Sequence, residues 1–552
     1  MAGVETVLRG LVIVGLFLGL GIAHRLDDAE AGWITRLRRR LLWGVPWGTV
    51  VMAGLLLVVY LGLQRGLTHW WNPLTVPYVS WSYLYPLGVL TAAFAHSGPG
   101  HLIGNLVGTV LLGPVVEYAI GHYPRSRGSS SFAGLRNHPY VRAFILLPGV
   151  ATLLAVTTAL FHWGPIIGFS GVVYALAGFG LVTLPVVTVL ALVARDAVGT
   201  TYYALLDPIV VAAPGPSYGG PWWAGIAVQG HLFGLIVGVV LGLLFVRRRA
   251  TPVPSATRIW VASSLAGFSL TLWALWWYGP GNSYELFRGV GVLLILTLAT
   301  LVTAATRAST RDLLPDRGWF TERQLGVTRR RVATLVLVLA LTTMAAIAVP
   351  VNLTTVASDA APADAVSVRD YTVFYAEGAR NQNVPAVDIS VFGASTNVTT
   401  SGVIVVSEAR HLWTREVSAG ALAFFGQVTV AVGGPGWRRA VDVRRRGWIP
   451  VGGEPVYVVS LRPPDGEWRT TFAADRSRAT PTIAGRNVSI AVVRGQFELV
   501  VTQAGRTVDT VPIPETNGSV SAGGLSFVRN GSRIIVVEGT TRIVIAEREE
   551  YV

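Results

Sequence analysis

Long apolar runs separated by short polar stretches fill the first 351 residues, and short alternating runs fill the rest. Ten apolar segments stand out: 6–23, 42–63, 101–121, 140–161, 170–193, 200–213, 223–246, 259–278, 285–306 and 332–351. A helix of about 20 apolar residues crosses the hydrocarbon core of a bilayer, so these segments predict about ten membrane spans, with 200–213 the weakest. Residues 65–100 are different: Trp70, Trp71, Pro73, Pro77, Trp81, Tyr83 and Pro86 mark an aromatic connector suited to the membrane interface. From residue 352 onward, runs such as Val366–Phe374 and Pro455–Leu461 alternate in polarity between Gly, Pro and Asn, the pattern of strands. A short helix is expected near 411–424, and the whole of 352–552 reads as one β-rich domain.

Composition agrees with the pattern. Of 552 residues, 52% are hydrophobic and only 13% charged, about half the charged fraction of a soluble domain. The expected fold is therefore a polytopic all-α membrane protein with a C-terminal extracellular β-rich domain. Cysteine and lysine are both absent, so thiol chemistry is excluded and every formal basic side chain is arginine. The net charge of +14 does not point to nucleic acid. Residues 352–552 carry 20 arginines against 19 acids, so the excess lies between the apolar runs, where topology signals belong. Alternating the ten spans puts all but Arg9, Arg65 and Arg288 of the membrane part's arginines on one face. Arg36, Arg38–Arg40, Arg125, Arg127, Arg136, Arg142 and Arg247–Arg249 are among those that share it. That face is then the cytoplasm, and both termini of this multi-pass cell-membrane protein are expected outside. The first segment reads as an uncleaved helix, because its basic flank is thin and no clear Ala-x-Ala site follows. Asn-x-Ser/Thr triplets at Asn352, Asn397, Asn487, Asn517 and Asn530 fit an outside location for the β-rich part.

Four parts follow: 1–42, an extra helix with a basic loop; 43–250, a helical core; 251–351, three additional spans; and 352–552, the β-rich domain. Within the core, polar residues interrupt three apolar runs. Ser170 lies between Gly168 and Gly171, His231 between Gly230 and Gly234, and His101 and Asn105 are four residues apart on one helix face. A serine that merely caps a helix is the plainer reading of Gly168–Gly171 taken alone. With His231 as a base, and His101 and Asn105 as donors, the set makes a nucleophile with an oxyanion site. Gly230, Gly234, Gly238 and Gly242 line one helix face, which allows a second helix, carrying Gly171, Ala175 and Gly178, to approach closely. A metal site at His96 and His101 is not expected: no His-Glu-x-x-His pattern exists, and Glu117 lies about four turns away. Glu117 is expected to be structural. A transporter would show ionisable residues at the middle of several spans and inverted repeats, and neither is present.

These residues resemble the rhomboid family of intramembrane serine proteases. His101-Leu102-Ile103-Gly104-Asn105, preceded by His96 and continued by Leu112-Gly113, Glu117 and Gly121, follows one family motif. Gly168-Phe169-Ser170-Gly171 with Tyr174 follows a second, and His231 with Gly234 and Gly238 a third, all in family order. The resemblance covers residues 43–246, a six-helix core. It implies a Ser170–His231 dyad without an acid, with Tyr174 stacked on the base. It also implies an oxyanion site from His101, Asn105 and the Ser170 N–H, and a lateral gate with its cap at 200–222. Transmembrane protein substrates and the lipid bilayer are the implied partners; no cofactor, metal or nucleic acid is implied. Oligomeric state has no signal in the sequence. The alternative is a catalytically inactive relative that binds transmembrane clients, although both dyad residues are present.

Overall fold

The computed structural model describes residues 2–26, 32–124, 134–210, 218–249, 252–278, 284–308, 328–353, 355–356, 361–382, 390–391, 394–395, 399–474 and 481–552. Arg125, Arg127, residues 211–217 (the end of the expected 200–213 span and half of the 214–221 loop) and Asn397 lie outside these residues. The chain separates into two compact units: Met1–Gly215 with Gly220–Thr354, and Pro216–Gly219 with Thr355–Val552.

The first unit is helical: α1 (Ala2–Leu26), α2 (Trp33–Arg40), α3 (Trp47–Leu63), α4 (Pro86–Ala92), α5 (Pro99–Ile120), α6 (Pro139–Leu160), α7 (Ser170–Thr183), α8 (Pro185–Leu206), α9 (Val228–Arg249), α10 (Ala256–Ser269), α11 (Arg288–Arg307) and α12 (Arg329–Asn352). Seven of them, α1, α5, α6, α8, α9, α11 and α12, are long and apolar enough to cross a membrane. The fold is thus a polytopic α-helical membrane protein joined to a β-rich unit.

Three boundaries differ from the sequence expectation. The segments expected at 170–193 and 200–213 are instead α7 and α8, meeting at Leu184-Pro185. Proline has no N–H to continue a helix, and it pushes the residue before it out of the helical region; Leu184 sits at φ −138°, ψ 60°. Hydropathy runs through this point unbroken, so it carries no boundary. The segment expected at 259–278 is helical only to Ser269. Thr271 then turns with φ +58°, and Trp276–Tyr278 pairs antiparallel with Tyr284–Leu286. The basic stretch 36–40 belongs to helix α2 rather than to a loop.

The tightest packing is between α7 and α9. A Cβ built on Gly238 would lie 1.9 Å from the Ala175 carbonyl oxygen, and one on Gly234 2.2 Å from that of Gly171. In return, a Cβ on Gly178 would lie 2.1 Å from the Leu235 carbonyl. The backbones touch, as small-residue faces allow.

At the arginine-rich end, Glu117 of α5 caps α3. It accepts from the Gly48 N–H (2.8 Å), the Thr49 N–H (2.9 Å) and the Thr49 hydroxyl (2.6 Å). An anion at the first turn of a helix meets unpaired amides and the positive end of the dipole. His122 Nδ1 accepts from the Leu42 N–H, which leaves Nε2 to donate to Glu117 at 2.9 Å. The structural role expected of Glu117 therefore has identified partners. Arg40, Arg142 and Arg249 donate to carbonyls at Tyr118, Ala119, Ile120 and Gly121, and so close the C-terminal end of α5.

The second unit is built of antiparallel sheets. One has four strands (Val366–Val368, Tyr371–Arg380, Thr399–Ser407, Leu412–Ser418); another has eight, centred on Trp437–Pro450; a third has four, between Thr482 and Pro512. The helix expected at 411–424 is in part a strand. Leu412–Ser418 is a strand, and the helix is only Ala419–Phe425, with the Ser418 hydroxyl accepting from the Ala421 N–H at 3.1 Å.

Two expectations follow. Gly238→Ala forces backbone apart, and overpacking of this kind costs about 1–3 kcal/mol. Its thermal unfolding in detergent should fall well below that of Gly149→Ala, where a Cβ meets nothing within 4 Å. In the β-rich unit, burial beside the Tyr457 hydroxyl pushes the Tyr375 phenol up to about 12 from 10.0. The folded state then holds its proton while the unfolded state loses it, so stability is full below pH 10 and falls toward pH 12. Alkaline melts of the full chain should show this loss, and Tyr375→Phe should reduce it but not abolish it, because burial also raises the Tyr457 and Tyr551 phenols.

Candidate active site

Ser170 opens α7, with Phe169 as its N-cap. Its N–H is one of the first-turn amides that an α-helix leaves without an internal partner. His231 sits in the first turn of α9. Because α7 and α9 touch through their glycines, the two helix starts lie side by side. His231 Nε2 is 2.9 Å from Ser170 Oγ.

Tyr174, one turn into α7, stacks on the His231 ring with centroids 4.1 Å apart and planes within 12°. Its hydroxyl donates to the Leu270 carbonyl at 2.5 Å. That partner is the residue just after α10, outside the expected six-helix core. His231 Nδ1 is buried and has no hydrogen-bond partner among the described residues. The imidazole is therefore oriented by ring stacking and not by a carboxylate.

His101 and Asn105, both on α5, converge on the backbone just before Ser170. A Cβ built on Gly168 would lie 2.5 Å from His101 Nε2 and 3.5 Å from Asn105 Nδ2. Gly168 has φ +118°, a conformation that L side chains rarely adopt. Glycine is thus required twice here, for its torsion and for its lack of volume. Asn105 Nδ2 is a buried donor with no partner among the described residues. The Ser97 hydroxyl lies 3.1 Å from His101 Nδ1. A hydroxyl donating there leaves the imidazole proton on Nε2, next to Gly168. Two side-chain donors and the Ser170 N–H thus surround the space above Gly168 and Ser170, where an oxyanion would be stabilised.

The other motif residues have packing roles. Gly171 makes room for Thr158 of α6, where a Cβ would come within 2.8 Å. Gly234 and Gly238 receive the α7 backbone. Gly230 faces another partner, the His162 ring at 2.4 Å from a built Cβ. His96 is buried, edge-on to His101 with centroids 5.1 Å apart, and its backbone is held by Gln64.

Sequence reading missed the loop contacts. The 161–169 segment that delivers Ser170 is stitched to the aromatic connector: Ser80 N–H donates to Ile166 O (3.1 Å) and Gly168 N–H to Ala92 O (2.8 Å). The Tyr83 hydroxyl donates to Leu160 O at 2.5 Å. Gln229, two residues before His231, brackets Phe161 and Trp163 with its side-chain amide. Most of these acceptors are backbone carbonyls, which leave no mark in a sequence. Asn352, the first of the five Asn-x-Ser/Thr triplets, is 4% exposed and its amide is committed to the 160–164 segment. A buried, bonded amide is not a modification site.

Residues 84–248 match the family model of the Rhomboid domain. The match runs from the start of α4 to the last turn of α9 and includes His101, Asn105, Ser170, Tyr174 and His231, so this stretch is a rhomboid-family core. No curated protein and no solved structure matches the chain.

Gly168→Ala is expected to lower the unfolding temperature more than Gly164→Ala. Both positions have positive φ, at a cost of about 1–3 kcal/mol for a side chain, but only Gly168 also meets the His101 ring. Equal losses in thermal melts would show that the contact with His101 is not tight.

Proposed function

We propose that the core is an intramembrane serine endopeptidase that cleaves transmembrane segments with a Ser170–His231 dyad. The observation that carries this reading is the 2.9 Å contact between Ser170 Oγ and His231 Nε2, with Tyr174 stacked on the imidazole. Ser170 Oγ attacks the scissile carbonyl while its proton passes to His231 Nε2. The carbonyl oxygen becomes an oxyanion held by His101 Nε2–H, Asn105 Nδ2–H and the Ser170 N–H. His231 then gives its proton to the departing amine, and the acyl group remains on Ser170. Water repeats the sequence: it loses a proton to His231, attacks the ester and releases Ser170.

The substrate must expose a backbone amide, so a transmembrane helix has to unwind locally at the site. Entry past α8 suits such a substrate, because only 6% of its apolar stretch is buried, against 56% for α9. The arginine distribution puts the site toward the outer face of the cell membrane, with both termini outside. The division into 1–42, 43–250, 251–351 and 352–552 serves as our working partition, the last part being non-catalytic.

The test is hydrolysis of a fluorogenic transmembrane peptide by the full chain in detergent. Ser170→Ala and His231→Ala should each lower kcat by about a thousandfold or more while leaving the fold intact. Asn105→Ala should cost about a hundredfold, the usual loss of one oxyanion donor. Cleavage retained by Ser170→Ala would overturn the mechanism. Client binding without cleavage in the unmutated chain would favour the inactive alternative.

A further inference from the structure

The last helix of the membrane unit ends on Asn352, and this residue bonds to both loops that frame the dyad. Its side-chain amide nitrogen donates to His162 O at 2.7 Å and lies 3.3 Å from Leu160 O and 3.4 Å from the Tyr83 hydroxyl. Its side-chain oxygen accepts from the Gly164 N–H at 3.1 Å. Its own carbonyl accepts from the Tyr83 N–H (2.9 Å) and the Ser82 hydroxyl (3.3 Å). Both atoms of the carboxamide and the backbone oxygen are therefore in use. Met344, two turns earlier on α12, accepts from the Trp163 indole at 2.8 Å.

We propose that Asn352 is a positioning residue for catalysis, the clamp that fixes Leu160–Gly164 against Ser82–Tyr83. This rests on the protease reading above. The clamped segment leads in six residues from Gly164 to Ser170. It passes Ile166 and Gly168, whose backbone bonds to Ser80 and Ala92 set the height of the nucleophile beside His101 and Asn105. If the clamp opens, Gly168 is free to shift, and with it the relation of Ser170 to its oxyanion donors. A displacement of about 1 Å in such a site is worth up to a hundredfold in rate. The three added helices thereby become part of the active-site scaffold. The Tyr174–Leu270 bond is a second, independent tie from that same addition to the dyad.

The test compares the full chain with Asn352→Ala and Asn352→Asp. Asp keeps an oxygen for the Gly164 N–H but loses the donor to His162 O, and it guards against a failure of the Ala variant to fold. Two readouts are taken. Amide exchange over 160–168 reports the clamp whether or not the protein is a protease. Turnover per active site, with sites counted by a fluorophosphonate that labels Ser170, reports positioning. The expected result is faster exchange over 160–168 in both variants, larger in Ala. It is joined by a tenfold to hundredfold loss of kcat per labelled site with KM little changed. Unchanged exchange would overturn the clamp. Faster exchange with unchanged turnover per labelled site would overturn the positioning role and leave the protease reading standing. Absence of both labelling and turnover in the unmutated chain would instead overturn the protease reading, with which the positioning role falls.

Discussion

Backbone contact between α7 and α9 is the constraint on which the site depends. Two helices normally keep their axes 8–10 Å apart because side chains stand between them. Here glycines at 178, 234 and 238 remove those side chains, and each helix rests on carbonyl oxygens of the other. This fixes the distance between axes and also the register along them, since a shift of one residue would drive a side chain into a carbonyl. Ser170 and His231 each lie in the first turn of one of these helices. Their 2.9 Å contact is thus set by the helix packing, with no need of a flexible reach.

The polar groups of the helical unit follow a single rule at both ends. In a bilayer, unpaired backbone groups cannot turn to water, and side chains meet several of them here. At one end Glu117 meets the amides of α3, and arginines meet the carbonyls of α5. At the other, Gln64, Tyr83 and Asn352 meet the carbonyls of the connector and of the 160–164 segment. Among the described residues, Asn105 Nδ2 and His231 Nδ1 stand apart as buried side-chain nitrogens next to Ser170 without a partner. They share this with Trp47 Nε1, Ser263 Oγ and Ser264 Oγ, but Asn105 and His231 alone border the nucleophile among the described residues.

Much of this was legible because polar residues are conspicuous in an apolar run. Ser170, His231, His101 and Asn105 could be picked out for that reason, and the four-residue glycine spacing identified the face that brings two of them together. Leu184-Pro185 was illegible to hydropathy, which sees only an unbroken apolar run; proline's missing N–H sets that boundary. The β-hairpin after α10 was hidden in the same way, behind Trp276 and Trp277. Asn352 was visible as the start of an Asn-Leu-Thr triplet, but nothing in the triplet points to the carbonyls that its amide meets. The Leu270 carbonyl could not be seen at all, since every residue has one.

The place of Asn352 in the chain has a consequence for the birth of the protein. Synthesis proceeds from the N-terminus, and earlier parts fold while later ones are still being made. Ser82, Tyr83 and the 160–164 segment are all complete long before residue 352 leaves the ribosome. Until then they lack the amide that joins them. A nascent chain that has inserted the whole matched core, through residue 248, has the Tyr83–Leu160 bond between these segments but not yet the Asn352 clamp. On the positioning role proposed above, completion of the site would coincide with the arrival of the final helix.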